Sequence, residues 1–139
     1  QKNGYLAGVC RTAVVGQATC EQRKIWANLI ECKYLVMDMI KPGARCKEIY
    51  QSFLAKFNEL GFDPISFVAH GIGLHLHEEP YMGRYGDEIV EAGMVGAFEP
   101  LVYIPERFGM QNKDMFCVSQ NGCELLSDYT PADTLLAVG

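Results

Sequence analysis

Ile25, Leu29, Cys32, Val36 and Ile40 recur at spacings of three and four, an apolar stripe that predicts a long amphipathic helix over residues 20–40. Thr19 and Gln22 stand before it in the Thr-x-x-Gln relation of a capping box, which satisfies amide donors that the first turn leaves open. Pro42-Gly43 ends it. A second stripe, Ile49, Phe53, Phe57 and Leu60, predicts a helix over 44–60 with Gly61 as its C-terminal stop. Upstream, residues 5–15 are rich in β-branched and aromatic types and read as a strand that turns at Gly16. Trp26, Tyr34 and Tyr50 are read as packing residues of the helices.

After Pro64 the period changes to short apolar runs divided by Gly and Pro. Strands are expected at 66–70, 74–77, 94–99, 101–104 and 114–119, with Asn121-Gly122 as a hairpin turn into 123–126. Residues 78–93 carry Pro80, Gly83, Gly86 and Gly93 and read as a surface loop. The order is strand, two helices, then mostly antiparallel strands. The expected fold class is therefore α+β, an antiparallel sheet with helices packed on one face.

Composition narrows the function classes. The 139 residues suit one domain, and 49% hydrophobic with 21% charged residues is a globular balance. Twelve Lys+Arg against seventeen Asp+Glu give a net charge of −5 without a basic stripe, which argues against nucleic acid as a partner. No apolar run approaches the roughly 18 residues of a membrane span, and no basic-then-apolar leader is visible. Six cysteines without a CxxC pair suggest reduced, mostly buried thiols in a cytoplasmic protein, not a zinc site or disulfide framework.

All three histidines fall within residues 70–77, in Ala69-His70-Gly71-Ile72-Gly73-Leu74-His75-Leu76-His77-Glu78-Glu79-Pro80. Imidazole is the usual acid/base near neutral pH and a common metal ligand. On an unbroken strand His75 and His77 would share a face, while a bend at the glycines would turn His70 toward the same cavity. His70 and His77 are the functional candidates, and His75 reads as structural. Glu99 is the one acid in the apolar run 94–103, and a carboxylate there needs a cation or donors to receive it.

These stretches resemble the pita-bread family, which includes methionine aminopeptidase, prolidase, Xaa-Pro aminopeptidase and creatinase. His70-Gly71-Ile72-Gly73 and His77-Glu78-Glu79-Pro80 are similar to its HGIG…HEEP signature, and Phe98-Glu99-Pro100 to the next. Tyr5 through Thr12 and Asn121 through Ser127 resemble two more segments. The resemblance implies the pita-bread (creatinase/aminopeptidase) fold, with residues 1–139 as the back part of one longer catalytic domain. It also implies a site. Metallopeptidases of the family hold two divalent ions with two Asp, one His and two Glu. His70 matches the His ligand and Glu99 the first Glu, while His77 matches the histidine that contacts substrate and steadies the tetrahedral intermediate. The first Asp would precede residue 1. Gly8 stands where the second Asp is expected, and Lys113 replaces the last Glu. Arg11 and Thr12 match a structural Arg-Thr pair, while Arg84, Tyr85 and Asp87 either line a cleft or are solvated.

Loss of two carboxylates and gain of an ammonium make the pocket more positive by about three charges. A lysine about 5 Å from a divalent ion is repelled by roughly 7 kcal/mol at an effective dielectric of 20. A one-residue slip would bring Asp114 inward instead, but it would also move Met115 to the other face. The expectation is thus a metal-free hydrolase of the creatinase/Xaa-Pro peptidase kind acting on an amide or amidine C–N bond. His70, His77 and Glu99 would be its catalytic residues, with His77 and Lys113 on the substrate. No cofactor is expected. One alternative is a metal-dependent Xaa-Pro aminopeptidase or dipeptidase with Mn, Co or Zn on His70 and Glu99. The other is a catalytically dead module that binds a peptide or protein. The expected partner is a small-molecule or short-peptide substrate, with no membrane, no nucleic acid and a possible homodimer.

Overall fold

A computed structural model describes residues 1–128 and 132–139. Helix α1 spans Cys20–Met39 and α2 spans Cys46–Glu59. The capping box forms in full: the Gln22 amide donates to Thr19 Oγ1 at 3.1 Å, and the Thr19 amide donates to Gln22 Oε1 at 2.8 Å. Thr19→Ala removes one of these acceptors, so the expected loss is about 1 kcal/mol in urea unfolding, with Thr19→Ser keeping most of it. Leu29, Cys32, Val36, Ile40, Phe53 and Phe57 on the two apolar stripes are fully buried. They pack with Val68, Phe98, Phe116 and Val118 of the sheet in one core. Tyr34 departs from the packing expectation: the residue is 45% exposed and its hydroxyl donates to Asp133.

The main sheet has five strands: β2 (Phe67–Gly71), β3 (Glu78–Gly83), β4 (Val95–Phe98), β7 (Asp114–Ser119) and β8 (Gly122–Leu125). Their order is β3-β2-β4-β7-β8, and every neighbouring pair is antiparallel. Strands β5 (Leu101–Ile104) and β6 (Phe108–Gln111) form a hairpin, and β1 (Ala13–Val15) pairs in parallel with β9 (Leu136–Val138). The α+β class and the antiparallel sheet are as the pattern implied.

Several boundaries differ. Residues 74–77 are a run of bends and not a strand, whereas the expected loop at 78–93 begins with strand β3. Pro80 does not prevent this because β3 is an edge strand, where a missing amide donor costs no ladder bond. Upstream of β1, residues 5–12 make only single bridges, among them Cys10 with Lys113. The strands β6 and β9 are only four and three residues long, too short to stand out by alternation. The cysteines are less buried than expected: Cys32 and Cys46 are buried, Cys20 is exposed and the others are intermediate, all as free thiols. Burial pushes the Cys32 and Cys46 thiols up to about 11, which makes them poor nucleophiles.

Register fixes which residues share a face. His70, Ala97 and Met115 lie side by side across β2, β4 and β7, and Ala69, Phe98 and Asp114 form the next row. Side chains alternate along a strand, so these two rows point to opposite faces. The row containing Phe98 looks toward the helices, and the row containing His70 looks away from them.

Candidate active site

On the face away from the helices, four polar side chains converge. His70 ends up fully buried on β2, and its Nδ1 lies 2.7 Å from the Gly71 carbonyl. A carbonyl only accepts, so Nδ1 carries the proton and Nε2 presents its lone pair. That lone pair lies 3.5 Å from Glu99 Oε1 and has no hydrogen-bond partner among the described residues. Gly71 allows this geometry because a Cβ there would sit 2.3 Å from the Glu79 carbonyl oxygen.

The bends after β2 bring His77 back over His70. The Leu6 amide donates to the Gly73 carbonyl at 2.7 Å, and Glu78 accepts the His75 amide at 2.6 Å, which fixes the turn. The His77 ring then meets the His70 ring edge to face, with centroids 4.2 Å apart, and Phe67 contacts both rings. His77 Nε2 is 3.4 Å from Glu99 Oε1, and its side chain is 41% exposed. His75 points outward, with its side chain 82% exposed.

Glu99 follows β4, tied by its amide to the Val68 carbonyl at 2.9 Å. One carboxylate oxygen faces the two imidazoles, and the other accepts the ammonium of Lys113 in an ion pair. Burial pushes the Glu99 carboxyl up, but the Lys113 ammonium seated on it outweighs this and holds it below the usual carboxylate range. Lys113 is 9% exposed, so it is not a solvated hairpin lysine. Its amide donates to Cys10 O and its carbonyl accepts from Cys10 N, both at 3.1 Å, and its side chain runs over Gly8. Lys113, not Asp114, faces Glu99. The one-residue slip does not occur.

Asp114 points instead to the helix side, where it anchors a cluster that sequence reasoning did not assemble. Its carboxylate meets Arg11 Nη2 at 2.5 Å, Lys33 Nζ at 2.9 Å and Ser127 Oγ at 2.6 Å. Burial raises the Asp114 carboxyl, but the Ser127 hydrogen bond and the two cations together hold it below the usual carboxylate range. The signal was present at Lys33, which sits four residues after Leu29 on the buried side of α1. Thr12 is also structural here, its hydroxyl exchanging hydrogen bonds with the Gln111 backbone. Arg84, Tyr85 and Asp87 are exposed, and the first two border a groove of about 320 Å³ that also includes Phe67 and Tyr81.

His70, His77 and Glu99 each offer a ligand atom, and these atoms lie within 4.8 Å of one another. Chemically, the cluster combines a solvent-reachable imidazole, a buried imidazole with a free lone pair and a carboxylate held ionised by an internal ammonium. Such a set can move a proton at the cavity mouth and steady positive charge that develops there.

Comparison with known proteins identifies the family and the fold. The Xaa-Pro dipeptidase of Pyrococcus furiosus is 32% identical over 127 residues, which cover 90% of this chain and 36% of that protein. An Xaa-Pro dipeptidase structure from Bacillus anthracis superposes with a TM-score of 0.87 at 28% identity, covering 97% of this chain and 38% of the other. Dipeptidase PepE from Mycobacterium ulcerans superposes with a TM-score of 0.91 at 26% identity, covering 99% and 37%. The chain thus spans little more than a third of the length of these relatives. The superpositions establish the pita-bread fold, and the metallopeptidase family M24 matches residues 1–120, so the chain belongs to that family.

Proposed function

We propose that the domain is a hydrolase of the Xaa-Pro peptidase and creatinase kind, cleaving an amide or amidine C–N bond of a short peptide or small molecule without a metal pair. The observation that carries this reading is the Lys113 ammonium seated on Glu99. His77, which solvent reaches, takes a proton from a water that attacks the scissile carbon and returns it to the departing nitrogen. Glu99 Oε1, 3.4 Å away, steadies the imidazolium formed between those steps. His70 backs the carboxylate from the buried side, and Lys113 keeps Glu99 charged. In this reading the chain is the back part of a longer catalytic domain. The rest of the reading is a cytoplasmic protein and a possible homodimer. No described helix is long and apolar enough to cross a membrane.

The second reading is a metal-dependent Xaa-Pro dipeptidase. It is favoured by His70 Nε2, a buried lone pair without a hydrogen-bond partner among the described residues, of the sort a divalent ion takes up, and by the three convergent ligand atoms. The donor set among the described residues fits a metal pair poorly. Its single carboxylate already carries an ammonium, and an ion such as Mn prefers several oxygen donors. If bound, metal would supply an activated water on His70 and Glu99.

Turnover of Xaa-Pro dipeptides and small amidines by the purified chain, with and without a chelator and after Mn, Co or Zn is added, separates these readings. The expected result is turnover that neither chelator nor metal changes, with far less than one divalent ion per chain by elemental analysis. Activity abolished by the chelator and restored by Mn would establish the second reading. Saturable peptide binding without any turnover would instead mark a binding module.

A further inference from the structure

We propose that Lys113 is the resident cation of the His70–His77–Glu99 cluster and that Gly8 is coupled to it as the position whose missing side chain admits the ammonium. The inference rests on the metal-free reading above and extends it to the residues that exclude a divalent ion.

Lys113 has little freedom to leave. Its backbone is held on both sides by Cys10, and Arg11 Nη1 donates to its carbonyl at 2.8 Å. From that fixed point the side chain crosses Gly8. A Cβ at position 8 would lie 3.1 Å from Lys113 Cε and 3.6 Å from both Cδ and Nζ. A larger side chain there would claim the volume through which the lysine stem passes. The ammonium then reaches one oxygen of Glu99 while the other oxygen faces both imidazoles. Gly8, Lys113 and Glu99 therefore behave as a unit: space, cation and carboxylate.

The charge logic has two sides. An ammonium on Glu99 does for that carboxylate what an ion from solution would do, keeping it charged and aimed. The same ammonium repels a dication from the cluster. His70 Nε2, buried without a hydrogen-bond partner among the described residues, is a donor that a dication can use once the ammonium is gone. The cluster is a metal site held closed by one internal lysine, and Lys113 is a positioning residue that acts through Glu99.

Calorimetric and thermal-shift titration with MnCl2 tests this on the full chain and its variants. The parent and Lys113→Arg, which keeps the charge, are expected to show neither saturable heat nor a rise in Tm. Lys113→Glu, verified as folded by circular dichroism, is expected to bind Mn2+ on the order of 100-fold more tightly than the parent. Adding Gly8→Asp to it supplies a further oxygen donor and tightens binding again. The coupling has its own readout: Gly8→Leu should lower Tm in the parent and leave it nearly unchanged in a Lys113→Ala background. A parent that binds Mn2+ as tightly as Lys113→Glu would overturn the inference, as would a folded Lys113→Glu with no gain in affinity. Turnover that resists chelation in the presence of the latter result would sink this inference alone. Turnover that requires Mn2+ would sink the metal-free reading as well.

Discussion

Asp114→Asn is expected to lower folding stability by about 3–5 kcal/mol, the range for removing one partner of a buried ion pair. For a domain of this size that corresponds to a fall in Tm of roughly 10–15 °C. The carboxylate is 1% exposed and stands between Arg11 and Lys33, the latter only 2% exposed. Asparagine keeps the shape and can still accept from Ser127. It leaves the Lys33 ammonium inside the core side of the sheet without a counter-charge, and that desolvated charge is the source of the loss. Urea unfolding of parent and variant at neutral pH measures it, and a difference below about 1 kcal/mol would refute the buried-hub account. Lys33→Met in the Asp114→Asn background should recover part of the loss, because the orphaned charge is then gone.

The same residue sets an acid limit. Its carboxyl is held below the ordinary range in the folded state, so its stabilising contribution is complete above the unfolded Asp value of about 3.9 and disappears as pH falls through the lower folded value. Below roughly pH 4 the parent should lose stability faster than Asp114→Asn, and the two unfolding curves should converge. A gap between them that stays constant into acid would contradict this sign.

What the chain disclosed of itself follows from the strength of each local signal. Both helices were legible because their stripes run for several turns and their ends carry Thr19 and Gly61. Strand β3 was hidden because Pro80 and Gly83 are breakers in an interior strand but are tolerated at an edge, and edge position is a property of the whole sheet. The opposite facing of Lys113 and Asp114 could be read from the period of two alone. What each would meet could not be. Lys33 comes from α1, 81 positions before Asp114 by numbering (114 − 33), and only the assembled layers bring them together. Gly8 posed the same problem: its meaning appears only when the lysine stem is seen crossing it. The convergence of His70 and His77 depended on bends at 74–77, a stretch whose apolar alternation suggested a strand.

His77→Ala is expected to reduce turnover by roughly 10²–10⁴-fold while leaving the unfolding curve almost unchanged, which is the range for removing a positioned general acid–base group. The small structural cost follows from its place at the cavity mouth. The side chain is 41% exposed, and its one polar contact among the described residues is the 3.4 Å approach to Glu99 Oε1, an oxygen that also faces His70. Glu99 keeps its Lys113 partner in the variant, so no buried charge is orphaned. His75→Ala is the internal control, since that ring is turned to solvent and should affect neither quantity. Imidazole added to His77→Ala should restore part of the lost rate, because the vacated volume opens to water and the missing group is a proton carrier. A metal-bound water would need no such carrier from solution. Rescue by imidazole under chelating conditions therefore separates proton transfer by His77 from metal activation, and turnover that stays at the parent level in His77→Ala would remove this histidine from the mechanism.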